Sequence, residues 1–228
     1  MSILRHLWRL IYPKLCEACD EQLGVHERII CSSCLYHLPR TGYWNEPGNP
    51  IEQLFWERVQ VEHACALFFF KQGNRYRRLL YKLKYEGHRE IGIRLGELLG
   101  EELKKAPSYQ AIEVIVPVPL HPKKQYQRGY NQSELIAEGI AKVTGWKVNT
   151  TALSRRINTD TQIRKSQWER LGNVSNAFHL NSPDAMKDKH ILLIDDVLTT
   201  GATLEACAVE LQKATGCKIN IAVIAFAG

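Results

Sequence analysis

Residues 190–204, His-Ile-Leu-Leu-Ile-Asp-Asp-Val-Leu-Thr-Thr-Gly-Ala-Thr-Leu, concentrate more usable chemistry than any other stretch of the 228-residue chain. The apolar run Ile191 to Ile194 reads as a buried parallel strand that ends at the carboxylate pair Asp195–Asp196. Thr199, Thr200 and Gly201 form a small-residue turn, and a helical pattern begins at about Ala202, with Thr203 in its first turn. Strand, turn and helix in this order aim backbone N–H groups and a helix N-terminus at an anion. Two acids just before such a turn would repel a phosphate, so sugar hydroxyls and a magnesium ion are their natural partners. A ligand carrying a phosphate, a ribose and a metal-binding group is implied. The plainer alternative is a strand end whose acids only cap the helix.

A second constellation is Cys16-x2-Cys19 and Cys31-x2-Cys34, with eleven residues between the pairs. Two such pairs make two small turns whose thiolates can converge on one tetrahedral zinc. A redox CxxC needs one pair at a helix start after a strand, and neither pair has that setting. A disulfide or redox role is the alternative. Four thiolates would close the metal site and leave no catalytic position. The ion would supply about 10 kcal/mol of folding energy to a segment too small for its own core. His26 and His37 read as surface residues, and Cys65, Cys207 and Cys217 as buried thiols.

Two further segments bring polar groups to the same kind of site. Val116-Pro-Val-Pro-Leu-His-Pro-Lys-Lys-Gln-Tyr-Gln-Arg-Gly-Tyr-Asn-Gln132 begins at a strand C-terminus, where open α/β sheets bind ligands. It offers Lys123, Lys124 and Arg128 before a helix capped by Asn131; a proline-stiffened surface loop is the simpler reading. The stretch Arg155-Arg156-Ile-Asn-Thr-Asp-Thr-Gln162 continues through Arg164, Lys165, Arg170 and Asn173. At about twenty residues it is long for an idle connection, and loops of that length are often lids. Disorder or nucleic-acid contact without a lid role is the alternative.

The string DDVLTTGAT resembles the phosphoribosyl-pyrophosphate (PRPP) loop of type I phosphoribosyltransferases. VPVPLHP…RGYNQ, LKYEGHREIG at 83–92, TDTQ, ERLGN and the cysteine knuckle together resemble the ComF/GntX-type competence-protein family. The resemblance implies a type I phosphoribosyltransferase fold, an α/β domain with a mainly parallel sheet flanked by helices, carrying a small N-terminal zinc-binding module. It implies that Thr199, Thr200, Gly201, Ala202 and Thr203 hold the PRPP 5′-phosphate, and that Asp195 and Asp196 hold the ribose hydroxyls. It further implies that magnesium bridges ribose and pyrophosphate, with Lys123, Lys124 or Arg128 neutralising the leaving group. Asp195, Asp196 and Arg128 are then the catalytic set. Arg155, Arg156, Gln162, Arg164 and Lys165 belong to a flexible loop that closes over PRPP. Purine-salvage members of the fold place a further Asp three residues after the acid pair. Thr199 stands there, and a hydroxyl cannot act as that base near pH 7, so purine salvage is disfavoured. The expected activity is phosphoribosyl transfer to an unidentified nitrogen acceptor. The other expectation is a competence factor that handles single-stranded DNA with competence-machinery proteins and uses PRPP as a ligand.

Positioning these groups takes alternating strands and helices. Val61–Phe70, Ala111–Val118, Trp146–Val148, Ile191–Ile194 and Ile219–Phe226 read as strands. Tyr76–Tyr85, Ile91–Lys105, Asn131–Thr144 and Ala202–Thr215 read as helices, which predicts a doubly wound, mainly parallel sheet. Residues 39–58, rich in Pro and Gly, read as a linker or loop. The predicted division is residues 1–58 for an amphipathic N-terminal helix, knuckle and linker, and 59–228 for the α/β domain. No run of eighteen apolar residues predicts a membrane span, and the N-terminus does not read as a signal peptide, so the cytoplasm is the expected compartment. The net charge of +6 is uneven: residues 71–89 and 120–176 each carry +6, and the remainder carries −6. Such concentration points to polyanion contact, with a solvated helix face and a mobile basic loop as the plainer alternative.

Overall fold

The computed structural model describes residues 13–70, 73, 75–155 and 177–228. The predicted N-terminal helix and most of the 155–176 loop, including Arg156, Gln162, Arg164 and Lys165, lie outside the described residues. In chain order the elements are α1 (Ser32–Tyr36), α2 (Pro50–Gln53), β1 (His63–Phe69), α3 (Arg77–Tyr81), α4 (Arg89–Leu103), β2 (Val114–Pro117), α5 (Pro122–Arg128), α6 (Gln132–Thr144), β3 (Lys147–Val148), β4 (Leu153–Arg155), β5 (Phe178–Leu180), α7 (Pro183–Met186), β6 (His190–Leu198), α8 (Ala202–Leu211) and β7 (Lys218–Phe226). A π-helical turn, Lys82–Glu86, continues α3.

Five strands pair in the order β1-β7-β6-β2-β3, all parallel, and β4 and β5 form a separate antiparallel pair. The side-chain period of two sends alternate residues of β6 to opposite faces. Leu192 and Ile194 join a core with Leu95 and Leu99 of α4 and Ile136 and Ile140 of α6. Ile191 and Leu193 join the other core, with Leu204, Cys207 and Leu211 of α8. The sheet is therefore covered on both sides, as its near-continuous apolar strands require.

The connection from β2 leads outward to β3, and that from β6 leads the other way to β7. Between β2 and β6 lies the topological switch point, the place where open parallel sheets form a ligand crevice beyond their strand C-termini. There is also a step in the sheet. β2 ends at Pro117 opposite Ile194, whereas β6 continues beside β7 until Leu198 meets Phe226. The acid pair thus lies within a strand, not after it as the sequence suggests, because β7 keeps pairing past the point where β2 stops.

Three other expectations change. Residues 39–58 are not a free linker: Ile51 and Phe55 are 0% exposed, and Asn49 caps α2 while donating to the Ala64 carbonyl at 2.9 Å. The segment after β2 contains the helix α5, with His121 accepting from the Lys123 N–H, Pro122 at its first turn and left-handed Gly129 at its end. The helix starting at Ala202 ends at Leu211 rather than Thr215.

Helices α4 and α6 cross backbone to backbone. A Cβ on Gly96 would stand 2.2 Å from the Ile136 carbonyl oxygen, and one on Gly139 would stand 2.1 Å from that of Ile93. Only hydrogen fits there, and the close crossing fixes where α6 begins. That beginning is part of the site.

Candidate functional site

The Asp195 carboxylate accepts from Ser133 Oγ at 2.9 Å and from the Asp196 N–H at 2.8 Å. Ser133 is available because Asn131 caps α6, accepting from the Ser133 N–H at 3.1 Å while its amide donates to the Val118 carbonyl at 3.0 Å. The Asp196 carboxylate pairs with Lys84 Nζ at 2.9 Å. Asp196 is only 8% exposed. Asp195 keeps some solvent contact, yet its carboxyl lies deep among protein atoms. That burial first, and the neighbouring Asp196 charge second, push Asp195 up to about 7; the Asp196 N–H, Ser133 and Lys84 pull the other way.

Beyond the acids, Thr199 and Thr200 are exposed, and Gly201 turns with φ 80° before α8. A left-handed backbone at this turn is where glycine is unstrained. No side chain caps α8, so its first N–H groups remain available to an anion. Arg58 braces the turn by donating to the Thr200 carbonyl at 3.1 Å and pairing with Glu205. A small hollow of about 50 Å³ runs from Asp195 to Leu204 and includes Gly201, Ala202 and Thr203. A wider hollow of about 810 Å³ lies instead around Val59, Glu62, Cys217 and Ile219, beside the N-terminal ends of β1 and β7. It is at the opposite end of the sheet from the acids and gathers no comparable chemistry.

The predicted basic residues divide. Arg128 donates to Gln132 Oε1 at 2.7 Å and lies over the Tyr85 ring at 5.2 Å, which brings it beside the turn that carries Lys84. Lys123 and Lys124 are exposed on α5 with no ion pair among the described residues. Arg155 ends β4 with its guanidinium over Phe178 at 5.3 Å. Sequence reasoning missed Lys84, Ser133 and Arg58. For Lys84 the LKYEGHREIG string was a signal; nothing in the sequence says that it reaches Asp196.

The four knuckle sulfurs, Cys16, Cys19, Cys31 and Cys34, all lie within 4.8 Å of one another. Cys19 and Cys31 Sγ are 3.7 Å apart, close to the edge of about 3.8 Å that a tetrahedron with metal–sulfur bonds of about 2.3 Å requires. The Cys31 N–H donates to Cys16 Sγ at 3.3 Å and the Cys34 N–H to Cys31 Sγ at 3.4 Å, donors suited to thiolates. Arg75 approaches Cys34 Sγ at 3.9 Å. The cluster fits a metal ion of tetrahedral thiolate preference, and none of its cysteines is in a disulfide. A second grouping, Glu17, His88 and Glu90, also converges, but Lys82 Nζ already holds Glu17 at 2.6 Å.

No helix among the described residues is long and apolar enough to cross a membrane. Residues 145–228, from the end of α6 through the acid pair, match the phosphoribosyl transferase domain model. The chain is 33% identical over 133 residues to DNA utilization protein YhgH of Salmonella typhimurium, a match that takes in 57% of this chain and 58% of that protein. It is 31% identical to Competence protein F of Haemophilus influenzae over 87% of this chain and 90% of that protein. It is 30% identical to Competence protein ComFC of Streptococcus pneumoniae over 81% of this chain and 82% of that protein. With relatives matched along most of their length and a phosphoribosyltransferase domain built on the switch point just described, the chain belongs to the ComF-type competence-protein family.

Proposed function

We propose that the chain binds PRPP with magnesium on the loop from Asp195 to Thr203 and transfers its phosphoribosyl group to a nitrogen acceptor. The observation that carries this reading is the acid pair at the switch point, followed by left-handed Gly201 and the uncapped N-terminus of α8. In it, N–H groups and hydroxyls from Thr199 to Thr203 take the 5′-phosphate. Asp195 and Asp196 orient the ribose through its 2′- and 3′-hydroxyls. Arg128, with Lys123 and Lys124, neutralises pyrophosphate as the C1–oxygen bond breaks and the acceptor nitrogen bonds to C1. Magnesium, when bound, supplies Lewis-acid stabilisation of the departing pyrophosphate. Thr199 supports an acceptor other than a purine.

Calorimetry with PRPP and magnesium tests the site: wild type should bind, and Asp195→Asn/Asp196→Asn should not. Equal binding by the two proteins overturns the assignment. A screen of bases and amines for pyrophosphate release tests turnover.

A second reading, single-stranded DNA handling with PRPP as a ligand, is favoured by the names of the relatives and by one surface. Tyr81 and Tyr85 are exposed with ring centroids 5.1 Å apart, and Tyr126 is exposed on α5 beside Lys123 and Lys124. Exposed aromatics among cations suit base stacking and backbone contact. Binding should weaken steeply with salt and drop when Arg155, Arg156, Arg164 and Lys165 become Ala. Undiminished binding by that variant excludes the loop as the DNA surface. For the knuckle we propose one structural zinc per chain, which metal analysis checks. Unpaired cysteines throughout suit a reducing compartment such as the cytoplasm.

A further inference from the structure

We propose that Lys84 is a ligand-binding residue of this site, one that exchanges Asp196 for the phosphate oxygens of a pyrophosphate-bearing ligand as the ribose hydroxyls and an accompanying divalent cation take the acid pair. The inference rests on the site reading above and adds a residue and a partner exchange to it. Lys84 Nζ lies 2.9 Å from Asp196 Oδ1, and the two side chains are 23% and 12% exposed. A pair so shielded from water is not replaced by solvent at little cost. An ammonium at that distance disfavours a dication on the same carboxylate, because the two cations repel each other and divide one negative charge. Cation binding and release of Lys84 are therefore linked.

The chain is built to let the side chain move without its backbone. Lys84 is in the middle of the π-helical turn Lys82–Glu86, an irregularity frequent at functional sites. On one side of it, Lys82 is fixed to Glu17 at 2.6 Å; Leu83, fully buried, accepts at its carbonyl from the Tyr130 hydroxyl. On the other side, Tyr85 lies under the Arg128 guanidinium at 5.2 Å. Held at these points, the turn presents a four-carbon stem with a compact charge at its tip, suited to swing between a carboxylate and a phosphate. Arg128 comes to the same turn, so a released Lys84 would join a second cation already in place. Two cations beside two acids match a ligand whose own charge is negative but which arrives with a metal.

Two probes read the exchange in Lys84→Met: Mn²⁺ alone, followed by electron paramagnetic resonance, and PRPP with magnesium, followed by calorimetry. Mn²⁺ alone should bind several-fold tighter than to wild type, because its competitor is gone. PRPP with magnesium should bind about tenfold weaker or more, the effect of one lost charge-assisted phosphate contact. Opposite signs are required. A loss of both would reduce Lys84 to structural support and overturn the proposal, as would unchanged Mn²⁺ affinity. If Lys84→Met does not fold, Lys84→Gln is read in the same two assays by the same criteria. Wild-type protein that binds no PRPP overturns the site reading, while the Mn²⁺ comparison still decides the competition for Asp196.

Discussion

Between Arg75 and Arg89 most of the described basic side chains turn toward a partner within the protein, whereas between His121 and Gly129 Lys123 and Lys124 stand in solvent. Arg75 reaches Cys34, Arg78 pairs with Asp20, Lys82 with Glu17, Lys84 with Asp196, and Arg89 donates to the Gly129 carbonyl and stacks on Tyr130. Arg77 is the exception, exposed and without an ion pair among the described residues. In the second stretch only Arg128 is tied down, to Gln132 and Tyr85. Similar basic clusters in a sequence therefore have different fates. The first is mostly a scaffold joining the knuckle to the acid pair; the second keeps its lysines free for an outside anion. That weakens the simple inference from basic clusters to polyanion contact for residues 71–89 and leaves it standing for α5.

The largest test of the contrast is removal of the metal proposed for the knuckle, by chelation or by Cys31→Ser. A structural four-thiolate site carries about 10 kcal/mol. Hydrogen exchange should then rise through residues 76–90, which lean on Asp20, Glu17 and the Cys34 carbonyl, and rise much less at 122–131. An equal rise in both stretches would break the contrast.

Lys82→Met comes next. It leaves the part-buried Glu17 without its ammonium, at a cost of about 3 kcal/mol, visible as a lower thermal midpoint. A midpoint at the wild-type value would mean that the pair contributes nothing and the scaffold is held by packing alone.

The acid pair adds a pH dependence of smaller size. Asp195 is raised in the folded chain to about 7 from an ordinary 3.8. Its stabilising effect is complete below about 3.8, where both states are protonated or nearly so, and is lost as pH rises through about 7. Urea midpoints should fall between pH 5 and pH 8, and Asp195→Asn should flatten that fall. An unchanged slope in the variant would assign the titration to another group.

The smallest effect is expected for Lys123→Ala/Lys124→Ala. Their exposure predicts a stability change within about 0.5 kcal/mol, while affinity for PRPP should drop. A stability loss as large as that of Lys82→Met would erase the distinction between the two stretches.

Much of this arrangement was legible in the sequence because its signals are local. The apolar runs at 114–117, 191–194 and 219–226 announce strands, Asn131 and Gly145 bracket α6, and the cysteine spacing announces a converging cluster. The missed features depend on contacts between distant residues. Lys84 and Asp196 are 112 positions apart, and nothing around either names the other. Helix α5 buries none of its residues, so it offers no apolar stripe, although its caps were in plain view. The Pro/Gly content of residues 39–58 masks the fact that Ile51 and Phe55 fill the α8-side core. Strand β6 outruns its apolar run because pairing with β7, not hydrophobicity, sustains its last residues.

The step where β2 stops and β6 goes on acts as a gauge. At about 3.3 Å per residue, Asp195 to Leu198 give a ledge about 13 Å long without a β2 neighbour. Such an interior margin is an unfinished sheet edge, the kind of surface that elsewhere recruits a stray strand. Here the Asp196 N–H is turned onto Asp195, and Val118 closes the near end through the Ile194 carbonyl at 2.9 Å. The margin is thus denied to another polypeptide and left measured for something short.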